Sequence, residues 1–170
     1  SGKIIGTTFL RALSEKFGKP GGKKTFKSPS KVAVDLSDRV YVLDRSLGKI
    51  FVFDSRQNFL AEFKISGDDF VVDRYGYLYI LDSANNKLIE ANAYGAAAGA
   101  VSSKFGSLGS GANQFKKPAG IALASDGALF IADTGNRRIQ RIEVTNKGKT
   151  AWLAPNPEAK LSISGPSRSW

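Results

Sequence analysis

The sequence contains no cysteine, no histidine and no methionine. These absences exclude a disulfide framework, thiolate or imidazole ligands for a metal, and catalysis built on Cys or His. Long apolar runs are also missing, because no stretch approaches the roughly 18 apolar residues of a membrane helix. The segment that begins at Ser1 lacks an apolar core of signal-peptide length. Ser1-Gly2 without Met is typical of a processed end, so the compartment is not assigned and secretion stays open.

Apolar residues are present in quantity, at 42% of 170 residues, which suffices for the core of one domain or of part of one. The formal net charge of +10 is unevenly distributed. Residues 1–31 hold eight basic residues and one acidic residue, for a net charge of +7. Residues 32–101 hold seven basic and ten acidic residues (−3), and residues 102–170 hold ten basic and four acidic residues (+6). This layout indicates an anionic partner, Lys-rich solvated loops, or attraction between copies of the chain.

An internal repeat organises the chain. Three segments align without a gap, and each is a short β run, a polar turn and a second β run that ends on Asp: residues 33–44, 71–82 and 122–133. The turns carry the Gly and Asp of tight hairpins: Ser37-Asp38-Arg39, Tyr75-Gly76 and Ser125-Asp126-Gly127. A third run follows each Asp, at residues 49–53, 87–91 and 138–142, and a fourth run is visible at residues 58–63, 96–101 and 150–153.

Four short strands in each repeat of roughly 40 residues are typical of a propeller blade. The sequence therefore predicts an all-β chain of about three β-propeller blades, each of four antiparallel strands, with an extra N-terminal strand at residues 7–13. We divide the chain as follows: 1–28, last strand of a preceding blade and a basic Gly/Lys-rich linker; 29–65, blade 1; 66–103, blade 2; 104–154, Gly-rich linker and blade 3; 155–170, tail or entry to a further blade.

The third repeat resembles an NHL repeat. The resemblance rests on Pro118-Ala-Gly-Ile-Ala followed by Ser125-Asp-Gly-Ala-Leu-Phe-Ile-Ala-Asp-Thr-Gly-Asn-Arg-Arg-Ile. The first two repeats match the pattern less well. Leu47 and Gly48 of the first stand where Asn136 and Arg137 sit in the third, and no Pro precedes the second. The resemblance implies a β-propeller, usually six-bladed, that binds partners on a flat face. Roles in the family range over protein scaffolding, RNA binding and a few enzymes.

Three blades make an incomplete or half propeller, whose open ends would expose apolar faces and unpaired strand edges. Three arrangements follow. Two copies could close one six-bladed ring, the chain could be part of a longer protein, or copies could stack end to end.

The three Asp residues that end the second run could form an acidic line able to ligate Ca²⁺. Their recurrence in every repeat favours a structural role, in which each carboxylate accepts backbone N–H bonds and pairs with the basic residue that leads the third run. The structural repeat positions are Asp44, Asp82, Asp133 and Arg138, and the other leading bases are Lys49 and Lys87. Asp35 and Asp73 also recur, but Ala124 occupies the third copy.

The loops between the second and third runs should line one face of the propeller. They supply most of the candidate binding residues, which are Arg45, Lys49, Asn85, Lys87, Asn136, Arg137 and Arg141. We predict a non-catalytic binding or scaffold module that mediates protein–protein interaction or self-assembly through blade loops and open edges. A basic RNA-binding face and a structural subunit of a larger assembly or filament are the alternatives. No enzyme activity, catalytic residue, metal, cofactor or membrane span is predicted.

Overall fold

The computed structural model describes residues 25–93 and 98–144, which are almost entirely β-strand and turn. Blade 1 is a four-stranded sheet of β1 (Pro29–Val34), β2 (Val40–Asp44), β3 (Lys49–Phe53) and β4 (Phe59–Lys64). Blade 2 consists of β5 (Asp69–Val72), β6 (Tyr77–Asp82), β7 (Lys87–Asn92) and β8 (Val101–Phe105). A link with β9 (Ser107–Leu108) and β10 (Gln114–Phe115) leads to blade 3, which has β11 (Gly120–Leu123), β12 (Leu129–Asp133) and β13 (Arg138–Ile142) within the described ranges.

The strands within each blade are antiparallel and follow one another in chain order, whereas β9 and β10 pair in parallel. The first hairpin of each blade turns through one residue with positive φ: Asp38 at 56°, Gly76 at 85° and Gly127 at 90°. Gly has no Cβ and Asp tolerates this region, so the polar turns predicted from the sequence form as tight hairpins. The all-β fold of propeller-like blades is confirmed.

The core lies between blades. In blade 2, alternate residues of β6 face opposite ways, so that Ile80 packs towards blade 1 and Tyr79 and Leu81 towards blade 3. Both faces of the sheet are therefore buried, and the middle strands are almost continuously apolar rather than alternating. The first strands of successive blades contact each other, β1 with β5 and β5 with β11, as expected of strands around a common axis.

The fourth strand of blade 2 differs from the prediction. The sequence predicted it at residues 96–101, whereas β8 spans Val101–Phe105 and runs past the predicted blade boundary at residue 103. Gly99 has a φ of 78°, and a Cβ there would lie 2.4 Å from Cβ of Phe63, so the Ala/Gly-rich stretch turns instead of extending. Residues 96–97, the predicted strands at 7–13 and 150–153, and the tail at 155–170 lie outside the described residues.

Helical structure in the described ranges includes one 3₁₀ turn at Thr134–Asn136. No helix among these residues has the length and apolarity needed to cross a bilayer.

Candidate binding surface

The loops that follow β2, β6 and β12 lie at one rim of the stack, because antiparallel pairing brings the end of each second strand beside the start of each first strand. In blade 1, for example, Asp44 pairs with both Pro29 and Lys49. We call this the loop rim: residues 45–48, 83–86 and 134–137 with the links that enter each blade. The opposite edge, with residues 35–39, 73–76, 124–128 and 54–58, is the hairpin rim.

The repeated Asp residues are buried beneath the loop rim and are occupied by internal donors. Asp44 accepts hydrogen bonds from the backbone N–H groups of Lys27 at 2.6 Å, Ser28 at 3.0 Å and Leu47 at 3.1 Å. Asp82 accepts bonds from the backbone N–H and the side-chain amide of Asn85. Such bonds fix the loop and the entering link in place, so the carboxylates serve the blade geometry.

Asp133 has the densest set of partners. Its Oδ2 accepts from Asn136 Nδ2 at 2.9 Å, Arg138 Nε at 2.8 Å and Gln140 Nε2 at 2.8 Å, while Oδ1 accepts from the N–H of Lys116. Burial acts to raise the pKa of Asp133, but the hydrogen bonds, of which that from Asn136 has the largest effect, outweigh burial and hold the pKa below its usual value. The carboxyl therefore stays ionised and anchors the third-repeat loop.

The predicted pairing of each Asp with a base is only partly found. The register is as predicted in all three blades, but of the three repeated Asp residues only Asp133 forms an ion pair with a described residue, namely Arg138. Lys49 instead bonds Glu62 on the neighbouring strand at 2.6 Å. Asp44 needs no cation because backbone donors already satisfy its oxygens. Lys87 forms no ion pair with a described residue.

Several loop side chains hold the link to the next blade. Arg45 donates to the carbonyl oxygen of Asp68 at 2.7 Å, and Ser83 Oγ donates to the carbonyl oxygen of Pro118. Asn136 Nδ2 donates to the carbonyl oxygen of Gly109 at 2.8 Å, within the arm that enters its own blade. Of the candidate residues, Arg45, Asn85 and Asn136 therefore have structural contacts.

Asp69 is a bridging residue that the sequence analysis did not identify. Its Oδ1 lies 2.8 Å from Lys31 Nζ of blade 1, and its Oδ2 accepts the N–H of Ile121 of blade 3 at 3.1 Å. Gly120 stands beside it, and a Cβ there would lie 3.9 Å from the same oxygen. One carboxylate thus joins three blades near the axis. Lys31, Asp69 and Gly120 occupy the same position of the repeat, two residues before each aligned segment, and this correspondence in the sequence could have pointed to the contact.

The structure separates Arg137 from Arg141. Arg137 is exposed on the loop rim, at a left-handed position with a φ of 52°. Arg141 lies four residues along β13, roughly 13 Å away at the extended rise per residue. Its guanidinium bonds Asp126 at 3.0 Å and also Glu143, both towards the hairpin rim. The two arginines therefore do not share one rim.

The exposed charges of the loop rim are all of one sign in the described ranges. The exposed charged residues there are Lys27, Arg45, Lys64, Lys116, Lys117 and Arg137. Asp68 and Asp69 at this rim are half-buried. The hairpin rim carries exposed acids as well as bases, Asp38 and Asp126 with Arg56 and Arg74, and the exposed Glu143 follows β13 beside it. The two rims thus differ in charge.

The hairpin rim contains an Asp–Tyr hydrogen bond that recurs in blades 1 and 2. Asp35 accepts the hydroxyl proton of Tyr41 at 2.9 Å, and Asp73 accepts that of Tyr79 at 3.0 Å. Burial, with these carboxylates, raises the pKa of both tyrosines. The Asp and Tyr of each pair are six residues apart in sequence, and this spacing marks the pair in the repeat. In the third repeat both members change together, to Ala124 and Phe130.

Glu90 is a buried carboxyl beside the Asp–Tyr hydrogen bond of blade 2, opposite Tyr79 across the β6–β7 pair. Ser102 Oγ donates to its Oε1, while its Oε2 has no hydrogen-bond partner among the described residues. Burial raises the pKa of Glu90, and nearby Asp73 raises it further. Val52 occupies the equivalent position in blade 1. No group of three or more acidic side chains suited to a metal ion occurs in the described part of the chain.

Comparisons with known proteins identify the repeat and the fold. Residues 115–142 match the model of the NHL repeat. A structure of virginiamycin B lyase from Staphylococcus aureus is similar, with 14% identity, a TM-score of 0.52, and coverage of 84% of this chain and 49% of that chain. An inactive variant of that enzyme, solved with quinupristin, gives 15% identity, a TM-score of 0.49, and coverage of 78% and 48%.

A protein from Bacteroides caccae gives 13% identity, a TM-score of 0.48, and coverage of 71% of this chain and 47% of that chain. The chain spans about half the length of these solved structures. A comparison with curated proteins gives no match. At this identity the likeness to the lyase concerns the fold alone. The chain therefore carries an NHL repeat in its third blade and has the fold of a partial NHL-type β-propeller.

Proposed function

We propose that the chain is a non-catalytic binding module that recognises an acidic protein surface through its loop rim. The observation that supports this is the uniform positive charge of the rim's exposed residues in the described ranges. A cluster of like charges attracts an oppositely charged partner and steers its approach. The buried Asp network beneath the rim holds the loops in fixed positions, which reduces the entropy lost on binding.

The catalytic alternative has less support in this chain. A lyase of the same fold is among the structural neighbours, but the identity of 14% carries no activity over. The loop-rim carboxylates are held by internal donors, and the sequence has no histidine to act as a general base.

The proposal is tested with fluorescein-labelled polyglutamate as a model of an acidic protein surface, by fluorescence anisotropy. Lys116→Glu and Arg137→Glu should each weaken binding by about fivefold or more, because each reverses one exposed charge on the loop rim. Arg56→Glu is the matched control, since it makes the same charge change on the hairpin rim and should leave affinity nearly unchanged. Equal effects of all three substitutions would contradict recognition by the loop rim.

A labelled oligouridylate of similar length tests the RNA alternative. A phosphate partner releases counterions, so its affinity falls steeply with salt in a log–log plot. Tighter binding of the oligouridylate than of polyglutamate, with the same loop-rim substitutions weakening it, would favour the nucleic-acid function over the protein-binding one.

Self-association is a second candidate, supported by the exposed acids of the hairpin rim, which could contact the positive loop rim of another copy, and by Ile139, which is 50% exposed on blade 3. Light scattering after size exclusion, at two protein concentrations and two salt strengths, measures it directly. A mass near twice 18.2 kDa would support pairing of two copies. A mass that grows with concentration and falls with salt would indicate stacking, and a constant monomer would exclude both.

A further inference from the structure

A cavity of about 610 Å³ opens on the hairpin rim, where the first hairpins of the three blades meet. Blade 1 contributes Val34 to Leu36, blade 2 Val72 to Tyr75, and blade 3 Leu123 to Gly127, with Val144 closing one side. Its volume lies within the range of small-molecule sites, which are mostly apolar with a few polar groups. It faces away from the loop rim, so it is separate from the surface of the proposed function.

Exposed apolar side chains are concentrated at this cavity. Leu36 is 82% exposed, and Val34 and Tyr75 are each 55% exposed. Val34 and Leu36 belong to the first hairpin of blade 1 and Tyr75 to that of blade 2, and all three line one opening. Grouped apolar side chains on a surface mark a binding site more often than scattered ones do. The body of the ligand should therefore be apolar, and Tyr75 offers an aromatic face to it.

Each carboxylate of the cavity already accepts hydrogen bonds from internal donors. Asp35 bonds Arg39 Nε at 2.7 Å, and Asp126 bonds Arg141 at 3.0 Å. Asp73 accepts the N–H groups of two following residues in its hairpin and a tyrosine hydroxyl. None of the three is an open site for a cationic ligand.

Arg74 is the one basic residue among those that line the cavity. It donates one bond, of 2.6 Å, to the carbonyl oxygen of Ser125, and its guanidinium lies 5.8 Å from the centre of the Tyr75 ring. No carboxylate pairs with it in the described ranges. A guanidinium has five N–H donors, so Arg74 retains donor capacity for an anionic acceptor.

The repeat symmetry breaks at this cavity. The wall from blade 3 has Ala124 where blades 1 and 2 have Asp35 and Asp73. The change removes one carboxylate from the wall and leaves an apolar surface in its place. The cavity wall is therefore less acidic on the side of blade 3, which favours an anionic ligand over a cationic one on that side.

We propose that the hairpin-rim cavity binds a small organic anion with an aromatic or aliphatic body. The apolar body packs against Val34, Leu36 and Tyr75, and the anionic group accepts hydrogen bonds from Arg74. Charge-assisted bonds of this kind give a site its preference among apolar ligands of similar shape.

The test uses two fluorescent probes that share one skeleton, anilinonaphthalene sulfonate and the neutral N-phenylnaphthylamine. Both should bind the full chain saturably. Arg74→Gln should weaken the sulfonate about tenfold, as loss of a charged hydrogen bond predicts, and change the affinity of the neutral probe less than about twofold. Retained binding of the neutral probe also shows that the variant is folded.

Two further variants separate this cavity from general apolar surface. Leu36→Asp should weaken both probes about tenfold, because it places a charge on the wall of the cavity. Leu108→Ser is the matched control, since Leu108 is 66% exposed in the link between blades 2 and 3. The proposal is overturned if neither probe binds saturably, if Arg74→Gln affects both probes equally or neither, or if Leu108→Ser weakens binding as much as Leu36→Asp.

Discussion

At the scale of single residues, ionisation of two buried carboxyls affects the stability of the fold in opposite directions. Asp133 is surrounded by donors and has a lowered pKa, so its ionised form stabilises the fold. Glu90 is buried with one oxygen unpartnered among the described residues, and its pKa is raised, so its ionised form is disfavoured in the fold. Their contributions to stability should therefore vary with pH in opposite directions.

Glu90→Gln should stabilise the protein by about 1 kcal/mol at neutral pH, because it keeps the acceptor for Ser102 and removes a carboxyl whose ionisation is disfavoured by burial. The folded pKa lies above the unfolded value of about 4.3, so the cost of Glu90 is absent below that pH and grows as pH rises through the folded pKa. Urea unfolding across this range measures the gain. A stability difference independent of pH would contradict the assignment.

Asp133→Ala should cost about 3 kcal/mol, since it leaves the guanidinium of Arg138 and several donors without their acceptor. Asp133 has a lowered folded pKa, so its contribution is full above the unfolded value of about 3.9 and is lost as pH falls through the folded pKa. Asp126→Ala is the control, because that side chain is 59% exposed and its solvent-screened pair with Arg141 should contribute much less to stability than Asp133 does. Urea titrations of both variants at neutral pH would show the difference, and equal losses would refute it.

At the scale of elements, the strands follow from local sequence and the links do not. The third runs predicted at residues 49–53 and 138–142 coincide with β3 and β13, because short β-favouring runs that follow polar loops define them locally. The fourth strand of blade 2 was misplaced because Ala and Gly have little β preference, so the position of Gly99 against Phe63 decided where β8 begins.

The link into blade 3 depends on Gly106, which has a φ of 95°. A Cβ at this position would lie 2.5 Å from Cε2 of Phe115, whereas one at Gly48, with a φ of 58°, would meet nothing within 4 Å. Gly48→Ala should therefore cost about 1 kcal/mol for the left-handed backbone alone. Gly106→Ala should cost about 2 kcal/mol more from overlap with the ring. Thermal and urea unfolding of the two variants compares them, and similar losses would show that Phe115 moves aside freely.

At the scale of the whole molecule, the charged surfaces could be predicted only in part. The repeat placed the loops of Arg45 and Arg137 at one rim, but it could not show that Arg141 lies towards the other, because that depends on the contact with Asp126. The Asp69 bridge was also beyond local reasoning. Its partners Lys31 and Ile121 lie 38 residues before it and 52 residues after it, and only the packing of three blades brings them together.

Asp69 gives blade 2 a distinct place in the dynamics of the chain. A stack of repeats opens by nearest-neighbour steps, so a unit with neighbours on both sides opens only after one that has a neighbour on one side. Asp69 of blade 2 bonds both neighbouring blades, through the ammonium of Lys31 in blade 1 and the backbone N–H of Ile121 in blade 3. In native-state hydrogen exchange, amides of β6 and β7 should therefore exchange most slowly, and those of β13 much faster. Asp69→Asn should reduce this difference in exchange rate, since the residue then loses its ion pair with Lys31 of blade 1. Slow exchange in blade 2 would then reflect its bonds to the blades on both sides.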